Sequence, residues 1–188
     1  KEEEKEKPAS LMNNLARIVC CVCMVFFSAK MHAQLTPWWQ EQQVDSTEIK
    51  ELAKADSIIA YAKTFIGTPY VWGGTDPQHG FDCSGFICYV YKAFNITLPR
   101  TSDMQFDAGI PIPYVDARPG DIIVFSSATV VPGDPGHVGI VLDYDAENGF
   151  SFIHTSSPET GGVRISNEAN EKYYNKHFLE IRRVITAN

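Results

Sequence analysis

Cys83 and His137 have the chemistry to attack a carbonyl group and move its protons, and His154 could orient them. Cys83 lies where a helix should begin, in Phe81-Asp82-Cys83-Ser84-Gly85-Phe86. There the unpaired backbone N–H groups and the helix dipole favour a thiolate, the form that attacks carbonyls. His137 opens the alternating run His137-Val138-Gly139-Ile140-Val141-Leu142, on the face opposite Val138, Ile140 and Leu142. His154 closes the next strand-like run, after Phe152-Ile153. A hairpin closing with Asp143 opposite Asn148 would set His137 directly opposite His154, with Cβ atoms roughly 4.5–5.5 Å apart. A thiol, an imidazole base and an orienting imidazole are the set that activates a nucleophile for acyl transfer.

The remaining Cys and His residues of this region lack that context. Cys88, between Ile87 and Tyr89, reads as a small buried hydrophobe. Five positions apart on one helix, Cys83 and Cys88 have diverging Cβ atoms and cannot form a disulfide. His79 sits in a turn, Gln78-His79-Gly80, and His177 in a polar stretch, Asn175-Lys176-His177.

The elements that must hold these groups follow from periodicity. Ile58, Ile59, Ala62, Phe65 and Ile66 have helical spacing from Asp56 to Ile66, ended by Gly67 and Pro69. Thr68 to Phe81, rich in Gly and Pro, reads as a loop holding Tyr70 and Trp72. A second helix runs from Cys83 to about Phe94, with Phe86, Ile87, Val90 and Phe94 on one stripe and Asp82 capping its start. Strand-like runs follow at Asp121 to Phe125, His137 to Asp143, Gly149 to Thr155, Val163 to Ser166 and Leu179 to Ile185. Helices first and strands later is an α+β order.

At 188 residues and 44% hydrophobic content, the chain can bury a core. Its net charge of −7 and the lack of a Lys/Arg stripe argue against holding nucleic acid by its phosphates. Residues 1–33 read as a charged extension followed by a secretory leader, 12–33, with apolar Ile18 to Ala29 and small Ala33 before Gln34. That apolar run is too short to span a bilayer. Cys20-Cys21-Val22-Cys23 has no further ligand at metal spacing nearby. Residues 34–55 read as a polar arm carrying Pro37-Trp38-Trp39, and 56–188 as the domain.

Six runs in order carry a resemblance: Gly67-Thr68-Pro69-Tyr70-Val71-Trp72-Gly73-Gly74, Phe81-Asp82-Cys83-Ser84-Gly85-Phe86, Leu98-Pro99-Arg100-Thr101-Ser102, Arg118-Pro119-Gly120-Asp121-Ile122, His137-Val138-Gly139-Ile140 and Phe152-Ile153-His154. Together they resemble the NlpC/P60 family of cysteine peptidases. The resemblance implies a papain-like α+β fold with the catalytic helix packed on an antiparallel sheet. It implies Cys83, His137 and His154 as nucleophile, base and orienter, Tyr70 at the oxyanion, and Asp82 and Ser84 at the substrate's amino end. Trp72 and Arg100 would also contact substrate, although Arg100 could equally hold an acidic loop of its own chain.

The expected activity is therefore a secreted or periplasmic hydrolase of peptidoglycan stem peptides that needs no cofactor or metal and binds no nucleic acid. The expected bond joins the D-glutamyl γ-carboxyl to the diamino acid. Alternatives are an endopeptidase of the D-Ala–diaminopimelate crosslink, an amidase or acyltransferase on the same fold, and a wall-binding module without chemistry. The segment Leu142 to Gly149 is longer than the resemblance leads one to expect.

Overall fold

Alternation and helical spacing both place apolar side chains on shared faces, and the chain folds by burying those faces against each other. The structure is a computed structural model that describes residues 45–127, 133–145, 148–155 and 161–186. The leader and the Trp38-Trp39 segment lie outside the described residues.

Helix α1 spans Ser46–Lys63 and begins ten residues before the expected Asp56. Asp45 caps it by accepting from the Thr47 N–H. Its first turns present Ile49 and Leu52 to solvent, so no apolar stripe announces them, and only Ala55, Ile58, Ile59 and Ala62 are buried. A stretch expected to be part of a polar arm is thus the solvated start of the first helix. After it a two-residue hairpin, β1 (Thr75–Asp76) with β2 (Gly80–Phe81), gives the Gly/Pro loop a fixed shape. Helix α2 spans Cys83–Lys92 and buries Phe86, Ile87, Val90 and Tyr91.

Among the described residues six strands follow in one antiparallel sheet: β3 (Ile110–Ile112), β4 (Ile122–Ser126), β5 (Pro135–Asp145), β6 (Gly149–Thr155), β7 (Val163–Asn167) and β8 (Phe178–Arg183). Their spatial order is β3-β8-β4-β5-β6-β7. Sequence periodicity misses β3, whose Ile-Pro-Ile lies on the sheet edge where a proline is tolerated. It also misses two short helices, α3 (Ser102–Phe106) and α4 (Lys172–His177).

The sheet is apolar on both faces. Ile122, Val124, Val138, Ile140 and Ile153 pack with α1 and α2, and the Tyr91 hydroxyl donates to the Gly120 carbonyl at 2.5 Å. Ile123, Phe125, Val141, Phe150, Phe152 and Ile181 pack with Tyr174 on the other side.

The hairpin of β5 and β6 differs from the expected register. Ile140 opposes Ile153 and Val141 opposes Phe152, so Gly139 and not His137 stands opposite His154. The slip is two residues, which preserves the face of every side chain, whereas a slip of one would reverse it. His137 and His154 are therefore diagonal neighbours on one face. A bulge at Leu142 absorbs one extra residue before Asp145 pairs with Gly149, so most of the long segment is strand.

Gly139 is the position that lets the histidines approach. A Cβ there would stand 2.7 Å from the Phe152 ring and 3.3 Å from His154 Cβ. Gly139→Ala is expected to lower stability by about 1–3 kcal/mol through overpacking. A urea midpoint equal to wild type would show that this contact is not tight.

Candidate active site

Asp82 organises the cleft, because one carboxylate there serves several chain segments. Its Oδ1 accepts from the Gly85 N–H at 2.7 Å, capping α2, and its Oδ2 accepts from the Gly73 N–H at 3.0 Å. Arg100 donates to both oxygens, Nη1 to Oδ1 at 3.0 Å and Nη2 to Oδ2 at 2.6 Å. Ser84 Oγ donates weakly to Oδ1 at 3.4 Å and accepts from Arg100 Nη1 at 3.0 Å. A carboxylate offers roughly four acceptor sites. These donors fill them, so a substrate ammonium at Asp82 would have to displace one. Of the two roles considered for Arg100, pairing with its own chain is the one occupied here.

Cys83 occupies the first helical position, as its sequence context predicts, but its thiol does not have the low pKa expected there. Burial, and then the adjacent Asp82 charge, push it up to about 11. The N–H groups of Ser84, Val138 and Cys83 itself act in the opposite direction and do not prevail. The imidazole expected to act as base is also neutral. His137 shows only part of its surface, and burial pulls its pKa down to about 4. Between those values the resting site holds a thiol beside an uncharged imidazole, so the proton would move as sulfur attacks.

His154 is fully buried, and its Nδ1 lies 2.8 Å from His137 Nε2 with the two rings nearly perpendicular. Burial first, then His137 and Arg164, hold its pKa well below the ordinary imidazole value. With Nε2 of His137 engaged by His154, Nδ1 is the ring nitrogen on which His137 could take up a further proton.

Cys83 and His137 line one open cleft of about 590 Å³, together with Tyr70, Trp72, Arg100 and Thr155. Burial, and then the nearby Cys83 and Asp82, raise the Tyr70 pKa. Its hydroxyl therefore keeps its proton and can donate to an oxyanion. Trp72 stands on the rim, 86% exposed. His79 pairs with Asp76 in its turn and His177 stacks on Tyr173, and neither lines the cleft.

Three residues of this site carried no sequence signal. Gln105 is fully buried, and its Nε2 donates to the carbonyls of Ser84 and Pro99 at 3.2 and 2.8 Å, clamping the α2 start to the Arg100 loop. Ser166 and Tyr174 stand beside His154 Nε2. An isolated Gln, Ser or Tyr is indistinguishable from any other until the fold brings its partners together. Cys88 is half-buried and donates to the Pro99 carbonyl at 3.1 Å, so it ties down the same loop instead of only filling space.

Two measurements test these electrostatics. Cys83 alkylation by iodoacetamide should rise steadily from pH 6 toward pH 10, and a plateau already reached near pH 5 would instead reveal a preformed thiolate–imidazolium pair. The unfolded chain protonates His137 and His154 near the ordinary imidazole pKa of about 6.5. The folded chain resists until lower pH, so their contribution is complete above that value and is lost as pH falls below it. The melting temperature should therefore drop on acidification from pH 7 to pH 5, and less so in His137→Gln.

Comparison with known proteins identifies the family and the fold. The model of the NlpC/P60 family matches residues 67–183. Murein DD-endopeptidase MepH of Escherichia coli K12 is 38% identical over 125 residues, covering 64% of this chain and 42% of its own. The gamma-D-glutamyl-L-lysine dipeptidyl-peptidase of Bacillus subtilis 168 is 32% identical over 143 residues, covering 76% of this chain and 45% of its own. The chain thus spans less than half the length of either relative. The crystal structure of an NlpC/P60 family protein from Bacillus cereus superposes with a TM-score of 0.61 at 34% identity, covering 70% of this chain and 40% of the other. With the family model matching more than half of its length and the fold shared, this chain belongs to the NlpC/P60 family.

Proposed function

We propose that this protein is a cysteine peptidase that hydrolyses peptidoglycan stem peptides, with Cys83, His137 and His154 as its catalytic set. The observation that carries the reading is one cleft lined by a thiol at a helix start and by an imidazole whose far nitrogen is already hydrogen-bonded. Cys83 sulfur attacks the carbonyl carbon while its proton passes to His137 Nδ1. The oxyanion is received by the Cys83 N–H and the Tyr70 hydroxyl, and one such donor contributes about 100- to 1000-fold in rate. The C–N bond then breaks, and the departing amine takes the proton from His137. Water attacks the thioacyl carbon, giving one proton back to His137, which returns it to sulfur as the C–S bond breaks; the carboxylic acid formed loses its remaining proton to solvent. No metal or cofactor enters these steps.

The bond we assign is that between the D-glutamyl γ-carboxyl and the diamino acid. A γ-linked D-glutamate keeps a free α-carboxylate, and Arg100 has a half-exposed guanidinium at the cleft. Its Nε–H and second Nη2 proton make no hydrogen bond among the described residues. Because Asp82 is already engaged, the reading requires no free substrate amine. The two relatives named above act on different bonds by name, so the crosslink is the rival target. We further propose that the leader at 12–33 directs the enzyme to the cell exterior or periplasm. Among the described residues no helix is long and apolar enough to cross a membrane.

Mass spectrometry of products from four substrates tests this: a free tetrapeptide, its N-acetyl form, its D-isoglutamine form and a crosslinked dimer. The first two should be cut at the γ-glutamyl bond at similar rates. Amidation should lower kcat/KM by about 10-fold or more, as expected for losing a charged hydrogen bond. Faster cleavage of the dimer's crosslink would replace the bond assignment. Cys83→Ala should abolish hydrolysis and Cys88→Ala should retain it, and hydrolysis surviving in Cys83→Ala would end the peptidase reading.

A further inference from the structure

Beyond the two histidines, the same sheet face carries a third member. His154 on β6 opposes Arg164 on β7, and Ser166 lies two residues further along the same face. His137, His154 and Ser166 thus stand on three neighbouring strands, each diagonal to the next. Ser166 Oγ lies 2.9 Å from His154 Nε2, and Ser166 is only 3% exposed. Tyr174 Oη is further from the same nitrogen, at 3.4 Å, with its ring edge-on to His154.

We propose that Ser166 is a positioning residue that sets the tautomer of His154. Its Oγ accepts from His154 Nε2–H, so His154 Nδ1 accepts from His137 Nε2–H, and His137 Nδ1 is left with the basic lone pair. The inference rests on the reading of His137 as the base. A neutral imidazole carries one proton, so His137 can take the Cys83 proton at Nδ1 only if its own sits on Nε2. That proton needs an acceptor, and His154 Nδ1 is the one in reach among the described residues, at 2.8 Å. His154 must then carry its proton on Nε2, buried from water, where Ser166 Oγ is the nearer oxygen. In the opposite tautomer His154 Nδ1–H donates to His137 Nε2, both hydroxyls could turn to donate to His154 Nε2, and His137 Nδ1 is already protonated. The heavy atoms hardly differ, but the base is lost. During attack the His137 imidazolium keeps donating to His154, and the aligned bond to Ser166 polarises His154 as a better acceptor.

The test is histidine-selective 15N–1H correlation spectroscopy on the intact protein at pH 7, paired with steady-state kinetics on the stem tetrapeptide. Wild type should show His154 protonated on Nε2 and His137 on Nε2. Ser166→Ala should move the His154 proton to Nδ1 and lower kcat at least about 10-fold, within the ~10⁴-fold that a wrong tautomer causes in a serine triad, with KM unchanged. Ser166→Thr, which restores the hydroxyl, should recover the wild-type tautomer and most of kcat. If Ser166→Ala does not fold, the wild-type spectrum and the threonine variant decide alone. An active wild type with His154 protonated on Nδ1, a threonine variant as inactive as one without the hydroxyl, or Ser166→Ala with wild-type kcat would overturn the proposal. Hydrolysis persisting in Cys83→Ala would instead overturn the reading beneath it, whatever the tautomer.

Discussion

The cleft depends on how the Asp82 carboxylate is shared. It caps α2, holds Gly73 of the preceding loop and receives the Arg100 guanidinium, so three chain segments converge on one charge. Gln105 reinforces the same junction from beneath, through the carbonyls of Ser84 and Pro99. This arrangement has an electrostatic consequence. Burial keeps Cys83 protonated, and the charge that locks the helix start one residue away adds to that effect. Arg100 pairs with that carboxylate and also lines the cleft.

The sheet supplies the other half of the site. Because both its faces are apolar, the histidines lie on a face that desolvates them as well as holding them. Desolvation favours the uncharged imidazole, which explains why His137 and His154 both stay neutral where a surface pair would titrate near neutrality. A neutral pair can transmit a proton demand only through tautomers. The groups hydrogen-bonded beyond His137 therefore bear on which of its nitrogens carries the proton. Ser166 and Tyr174 close that network on the buried side, away from water that could exchange the proton.

Much of this was legible in the residues. The helical stripe of Phe86, Ile87 and Val90, the capping Asp82 and the alternating runs around His137 and His154 each follow local rules of period and cap, so the α+β order and the address of Cys83 could be read directly. Face identity also survived, because it depends only on parity along a strand. The helix start at Ser46 did not, since its solvated first turns have no apolar pattern to detect. Nor did β3, which has three residues and a proline.

Local pattern thus determined which residue types stand at a helix start and on which strand face. Only the tertiary structure decided how far along each strand they meet, because register depends on a bulge at Leu142 and on close packing at Gly139. It alone decided that Arg100 pairs with Asp82, that Gln105 and Ser166 belong to the site, and that the thiol is protonated. Those outcomes are set by distances between residues far apart in the chain and by exclusion of water, and neither quantity is written in the spacing of one segment.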